Sequence, residues 1–420
     1  MYLGFLRCTK IMAEIISFGA GLVLKSSNRN KYFYNRKLDI TSRQPRGVLE
    51  ATQLQKLNDL LSYANRHVPY YHELFRSLGL VQKREEDVAL KNLEEIKIIP
   101  TLDKVTIHRE GEDLHSNLAS QRAAYTNTSG GSTGEKAVFL QDRVFGEKTS
   151  ANFMFARNLM GIRAWAKQNV LLWAAVRDIG LPTIPSGKMA TIFKDSIVLN
   201  SCKMQPEEMR RIIETIEVKQ PHFIRGYAQS LFELAKFSQR ENNRIPPQKA
   251  VISTATTLSA DMREVIEKVF GCKVFDYYGS REVGPVATEC SAHDGLHVLE
   301  DNNILELLDE TGRNSKPGEV GDIVLTNLNN YSMPLIRFKV GDAAYVHPCP
   351  DTCPCGCHYR KIGQLVGRTS DVFRLSNGDI VDGTYLTTVL NSVDSIERFQ
   401  IFQQTYDHLE LVIQAPSPIG

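Results

Sequence analysis

The sequence predicts an α/β protein: a large N-terminal domain with mostly parallel sheets covered by helices, an antiparallel β subdomain, and a small α+β C-terminal domain that stops early at Gly420. Three observations carry this. Between 170 and 278, short apolar runs alternate with helical ones, the pattern of parallel strands joined by helical crossovers. After Gly279 the texture changes to short strands separated by turn signals such as Glu310-Thr311-Gly312 and Lys316-Pro317-Gly318. Beyond Gly367-Arg368, Asn377-Gly378 lies between two short runs, a hairpin signal that opens a further small unit.

Taken in order, residues 1–45 form an N-terminal extension. Its apolar stretch at 11–24 is shorter than the roughly 20 residues a membrane helix needs, contains Glu14 and lacks a small-residue cleavage site. Neither a transmembrane segment nor a signal peptide is expected, and the location is read as cytoplasmic. Residues 46–80 are helical in pattern, with Leu49, Leu54, Leu57, Leu60, Leu61 and Ala64 at helical spacing and an end near His67-Val68-Pro69. Residues 91–100 and 101–110 read as connecting segments broken at Pro100. Strands are expected at 170–176, 222–226, 249–254 and 273–278, with helices at 206–217, 228–241 and 259–270. Further strands are expected at 296–308, 320–328 and 335–346. The resulting division is 46–367 for the large domain, with its β subdomain at about 285–366, and 368–420 for the start of the small one. No internal repeat is visible.

The 420 residues carry a net charge of only +2, so no basic field points to nucleic acid as a partner. Basic pairs such as Lys83-Arg84 are balanced at once by Glu85-Glu86. Among the eight cysteines, Cys8, Cys202, Cys272 and Cys290 are isolated, whereas Cys349, Cys353, Cys355 and Cys357 crowd together. In a chain without a secretion signal, crowding favours a metal over disulfides.

The richest stretch for chemistry is Thr126-Asn127-Thr128-Ser129-Gly130-Gly131-Ser132-Thr133-Gly134-Glu135-Lys136. Its glycines let backbone amides approach an anion and its hydroxyls can donate to phosphate oxygens. The spacing fits neither G-x-x-x-x-G-K-[ST] nor G-x-G-x-x-G, and the following Val138-Phe139-Leu140 reads as a strand. Tyr277-Tyr278-Gly279-Ser280-Arg281-Glu282 falls at the end of an expected parallel strand, where open α/β sheets bind ligands. There an aromatic ring can stack on a base and Glu282 can hold a hard cation such as Mg2+. Arg337 and Asp342 are expected on and just beyond a later strand, with Asp342 after a glycine turn, suited to accept hydrogen bonds from ribose hydroxyls. Arg368 adds a cation beside a possible hinge at Gly367. Neither H-E-x-x-H nor an open three-ligand metal site appears, which argues against a zinc hydrolase.

In this order the motifs resemble those of the adenylate-forming (acyl-CoA synthetase) superfamily. In detail they resemble its phenylacetate-CoA ligase and CapK-type branch, from about Arg46 to the C-terminus. The resemblance implies ATP-dependent activation of a small carboxylic acid as an acyl adenylate, then transfer to coenzyme A, an amine or a carrier. It implies that Thr128, Ser129, Gly130, Gly131, Ser132, Thr133 and Gly134 embrace the triphosphate. Thr256, Tyr277, Tyr278, Gly279 and Ser280 would join the nucleotide site, Asp342 would bind the ribose, Glu282 would bind Mg2+, and Arg368 would approach the phosphates or ribose. Gly226, Tyr227 and residues 253–258 would line the acyl and nucleotide pocket. A structural Zn2+ on Cys290, His297, Cys353 and Cys355 is implied too, with Cys357, Cys349 and His293 as substitutes. The sequence departs from the family pattern in three places: Lys136 and Ala137 stand where Pro-Lys is common, Thr256 replaces an acidic residue, and no lysine follows Lys361. The alternative the last departure keeps open is a CapK-type polysaccharide-biosynthesis protein that binds nucleotide or transfers an acyl group without CoA ligase activity. A homodimer is compatible with either.

Overall fold

The computed structural model describes residues 29–81, 87–128, 137–162, 169–173, 196–201, 204–368, 372–374, 376, 380–382, 390, 396 and 398–414. The apolar stretch at 11–24, Cys8, Cys202 and the triphosphate loop from Ser129 to Gly134 lie outside them.

Helices α1 (Arg29–Thr41), α2 (Arg46–His67) and α3 (Pro69–Ser77) open the chain. The break between α2 and α3 is local chemistry: Pro69 forces Val68 to extended angles and then takes the first helical position of α3, where its missing N–H costs nothing. Helix α2 buries Leu49, Leu57, Leu60, Leu61 and Ala64. Buried Gln53 on the same face donates to the carbonyls of Glu300 and Asn303, fixing the helix on the later β region. The segments expected as plain connections contain a 3-10 helix at Leu93–Ile98 and helix α4 (Lys104–Glu110). Their caps explain them: Asn92 accepts from Glu95 N and Asp103 from Thr106 N.

The main sheet has eight strands: β3 (Asn169–Trp173), β4 (Ser196–Asn200), β5 (Phe223–Tyr227), β6 (Val251–Thr254), β7 (Val274–Ser280), β8 (Gly284–Glu289), β9 (Leu296–Val298) and β13 (Lys361–Ile362), in the order β13-β9-β8-β7-β6-β5-β3-β4. The run β4-β3-β5-β6-β7 is parallel, and β8, β9 and β13 extend it antiparallel. Helix α5 (Arg143–Leu159) covers one face through Ala156, with Met160 just past its end, against Phe223, Ile252, Phe275 and Tyr277. Helices α6 (Pro206–Lys219), α7 (Ala228–Arg240) and α8 (Ala260–Phe270) cover the other, against Val170, Leu172, Ile224, Val251 and Val274. Ser259 caps α8 by accepting from Met262 N.

A second sheet, fully antiparallel, runs β10 (Asn303–Leu308), β11 (Val320–Asn327), β12 (Phe338–Tyr345) and β14 (Leu365–Arg368) in the order β10-β11-β12-β14. The single strand expected at 296–308 is two, β9 and β10, separated by a turn at 300–302. The strand expected from 335 begins only at Phe338, so Asp342 lies within β12 rather than beyond it. The hairpin expected around Asn377-Gly378 appears as β15 (Val372–Arg374) paired with β16 (Ile380–Asp382), its two turn residues outside the described set. β17 (Arg398–Thr405) and β18 (His408–Gln414) form a last hairpin.

Within β7, burial pushes Asp276 up to about 7, with the charge of Glu289 adding to it and Arg263 opposing. An unfolded chain loses this proton near pH 4 and the folded one near 7, so stability falls as pH rises through that interval and stays reduced above it. Asp276→Asn keeps the acceptor used by Tyr277 N. Urea denaturation at pH 8 is expected to find it more stable than the parent by on the order of 2–4 kcal/mol, with the difference vanishing near pH 4.

Candidate functional site

The candidate site forms where β7 ends beside β12 and β14. Asp342 and Arg368 are cross-strand partners, with Arg368 Nε 3.8 Å from Asp342 Oδ1. Tyr278 donates its hydroxyl to Asp342 Oδ2 at 2.7 Å. Burial raises the Asp342 carboxyl above its usual range; Glu282 adds to this, while Tyr278, Arg368 and Lys104 oppose it. Tyr278 is pushed well above the usual phenol range, first by burial and then by Asp342 and Glu282. Three residues widely separated in sequence therefore form one contact set, and Glu282 is close enough to perturb two of them.

Glu282 sits in the turn between β7 and β8, 7% exposed. Gly279 makes this turn: a Cβ there would lie 2.8 Å from the Gly284 carbonyl oxygen. Ser280 Oγ closes it by accepting from Val283 N. The turn is tied to the stem of the glycine loop, a hairpin of β1 (Tyr125–Thr128) and β2 (Val138–Gln141). Gln141 Nε2 donates to the carbonyls of Arg281 (2.6 Å) and Glu282 (3.3 Å), while its Oε1 accepts from Asn127. Thr128 is the last described residue before the loop, paired with Val138. Gln141 was not among the candidates; as an inward polar residue ending an apolar strand, it was the signal available.

Tyr277 goes elsewhere. Successive strand residues face opposite sides, and its ring packs edge-on to Phe153 at 5.4 Å under α5, apart from Tyr278. Thr256 lies just beyond β6, where its Oγ1 accepts from Gln229 N at 3.4 Å and Ala255 takes a left-handed φ of 69°. Arg337 is a buried structural cation: its guanidinium makes two 2.9 Å bonds to Glu306 and donates to the Ile99 carbonyl. Its backbone is left-handed as well, at φ 51°.

A second cluster joins the β8–β9 turn to the 349–357 loop. The ligand atoms of Cys290, His297, Cys353 and Cys355 all lie within 4.8 Å of one another. Cys290 and Cys353 sulfurs are 3.5 Å apart, and Cys355 Sγ is 3.3 Å from His297 Nε2. His297 Nδ1 is bonded to the Tyr359 carbonyl, which leaves Nε2 facing the sulfurs. Of the substitutes, Cys357 packs with Phe155 and Tyr359, Cys349 is exposed, and His293 stacks on Phe275 beside Glu289. Three thiols and an imidazole converging on one point are a donor set that fits tetrahedral zinc.

No helix among the described residues is long and apolar enough to cross a membrane. No family model matches the chain. It is 25% identical over 388 residues to the phenylacetate-coenzyme A ligase of Thermus thermophilus, covering 89% of this chain and 83% of the relative. It is 20% identical over 402 residues to protein CapK of Staphylococcus aureus, covering 93% and 83%. Among solved structures it is similar to 2-hydroxyisobutyryl-CoA ligase in the postadenylation state in complex with R3-HIB-AMP, with a TM-score of 0.63, 20% identity and coverage of 88% and 79%. The chain has the fold of the adenylate-forming acyl-CoA ligases, and along most of its length its sequence resembles the phenylacetate-CoA ligase and CapK branch of that superfamily.

Proposed function

We propose that this protein is an AMP-forming acid–thiol ligase. A carboxylate oxygen attacks the α-phosphorus of ATP and pyrophosphate leaves; the thiol of coenzyme A then attacks the acyl carbon and AMP leaves. The observation that carries the reading is the joining of Tyr278, Asp342 and Arg368 at the end of β7, beside a Glu282 turn laced to the stem of the glycine loop. The resemblance to phenylacetate-CoA ligases supports coenzyme A as the acceptor.

The residues divide the work. Asp342 would accept the ribose hydroxyls, with Arg368 holding its charge and Tyr278 fixing its orientation and lying against the adenine. The loop from Thr128 to Gly134 would hold the triphosphate by amides and hydroxyls, joined by Thr256, Gly279 and Ser280 around the nucleotide. Bringing two anions together is the main barrier, so positioning and charge neutralisation supply most of the rate. Glu282 fits Mg2+ because it is a hard oxygen donor on a fixed turn beside Asp342 and the stem of the glycine loop; Mg2+ would neutralise phosphate charge there. Cys290, His297, Cys353 and Cys355 would hold a structural zinc. The CapK resemblance supports the second reading, acyl transfer to an acceptor other than coenzyme A.

The test is pyrophosphate release on mixing the protein with ATP, Mg2+ and a panel of carboxylic acids, followed by thioester formation on adding coenzyme A. Release without thioester favours the second reading, and no release with any acid defeats both. Asp342→Asn, which keeps the shape but loses the charged acceptor, is expected to raise KM for ATP about 10-fold or more, in line with a charge-assisted hydrogen bond.

A further inference from the structure

The α5 face of the main sheet holds a guanidinium that neither the fold nor the adenylate site uses. Arg225, in the middle of β5, lies 4.5 Å from the Phe153 ring centre, 5.0 Å from that of Tyr277 and 5.5 Å from that of Trp173. Its Nε is sealed from solvent and has no hydrogen-bond acceptor. Asp276 and Glu289 do not answer it: their carboxylates bond Tyr277 N, Asp276 N and Arg263 instead. Contrast Arg337, which is buried and held by a two-point bond to Glu306. A half-buried cation whose described neighbours are ring faces is an incomplete arrangement, because rings replace only part of the hydration it has lost.

Along this face Trp173, Arg225 and Tyr227 each keep some exposed surface, while Leu172, Ile224 and Gly226 on the opposite face are buried. Trp173 and Tyr227 meet edge to face at 5.0 Å, at the strand ends nearest the candidate site. Arg225 lies two residues deeper along β5, about 7 Å at the rise of a strand.

We propose that Arg225 is the specificity anchor of the acyl pocket and that the acid activated here carries a second anionic group at its far end. The reacting carboxylate lies at the strand ends; the distal anion pairs with Arg225 between aromatic walls. This deepens, and rests on, the proposed ligase reaction.

The experiment uses matched acids that differ only in the distal charge: hexanoate against adipate, and phenylacetate against 4-carboxyphenylacetate. Calorimetric titration reads binding, and pyrophosphate release in the presence of ATP and Mg2+ reads the reaction. The wild-type protein is expected to favour each dianionic acid at least 10-fold in both readouts. Arg225→Met, which fills the same space without charge, is expected to bring that ratio to within about 2-fold, and Arg225→Lys to keep part of it. Equal binding of the paired acids by the wild type, or a preference that persists in Arg225→Met, overturns the proposal. If Arg225→Met does not fold, the wild-type ratio and the Arg225→Lys ratio decide. Dianionic acids that bind through Arg225 without any pyrophosphate release overturn the ligase reaction and leave the anchor standing.

Discussion

Glu282→Gln is expected to lower Mg2+-dependent pyrophosphate release by on the order of 10²–10³-fold while leaving the fold intact, the range seen when one transition-state electrostatic group is lost. The carboxylate is held in a turn fixed from both sides. Gly279 and Ser280 shape it, and Gln141 grips its backbone at the Arg281 and Glu282 carbonyls. None of those contacts uses the side-chain charge, so the amide should sit in the same turn. What disappears is the anionic oxygen offered to a hard cation. Measuring turnover against Mg2+ concentration, with a thermal melt of the same sample, separates the roles. A variant whose melting temperature holds and whose Mg2+ dependence is lost fits the assignment. Turnover that survives with an unchanged Mg2+ curve removes Glu282 from the metal.

Much of this arrangement was legible from residue order. The alternation of strands and helices between β3 and β7 was readable because each apolar run is bounded by a cap or a turn, such as Ser259 before α8. The joining of Tyr278, Asp342 and Arg368 was legible only through the resemblance; periodicity says nothing about which strands become neighbours. Asp342 meets Arg368 because β12 pairs with β14, a non-local choice made in the packed protein. The capped turns before the first sheet are signalled only by Asn92 and Asp103, and the break at Pro100 masks them in the pattern. The resemblance puts Tyr277 and Tyr278 together at the nucleotide site. The pleat sends the two rings to opposite faces, one to Asp342 and the other to Phe153. Arg337 and Arg225 carry the same charge but opposite circumstances, and only the surroundings of each, Glu306 in one case and bare rings in the other, distinguish a structural cation from one left for a ligand.

Metal analysis of the purified protein is expected to find close to one zinc per chain, and Cys355→Ser is expected to lose it together with several kcal/mol of stability. Cys290 follows β8, His297 lies in β9, and Cys353 and Cys355 come from a loop more than fifty residues later. The junction is also tied by β13 pairing with β9 and by Asp294 bound to His347 and Lys361, and at its centre four side chains converge within 4.8 Å. Backbone amides of Ala292 and Cys357 already point at the Cys290 and Cys355 sulfurs, the arrangement that stabilises thiolates. A serine at 355 removes one ligand and leaves His297 Nε2, fully buried, without its partner. The loss should therefore exceed that of an ordinary surface cysteine. Because β9 pairs with β8, and β8 with β7, loosening should spread to the turn that carries Glu282, and turnover should fall with stability rather than independently of it. A chelator titration that strips zinc should lower the melting temperature of the parent protein and leave Cys355→Ser unmoved. A metal-free preparation as stable as the parent, or a Cys355→Ser variant that melts with it, would remove the metal from this junction.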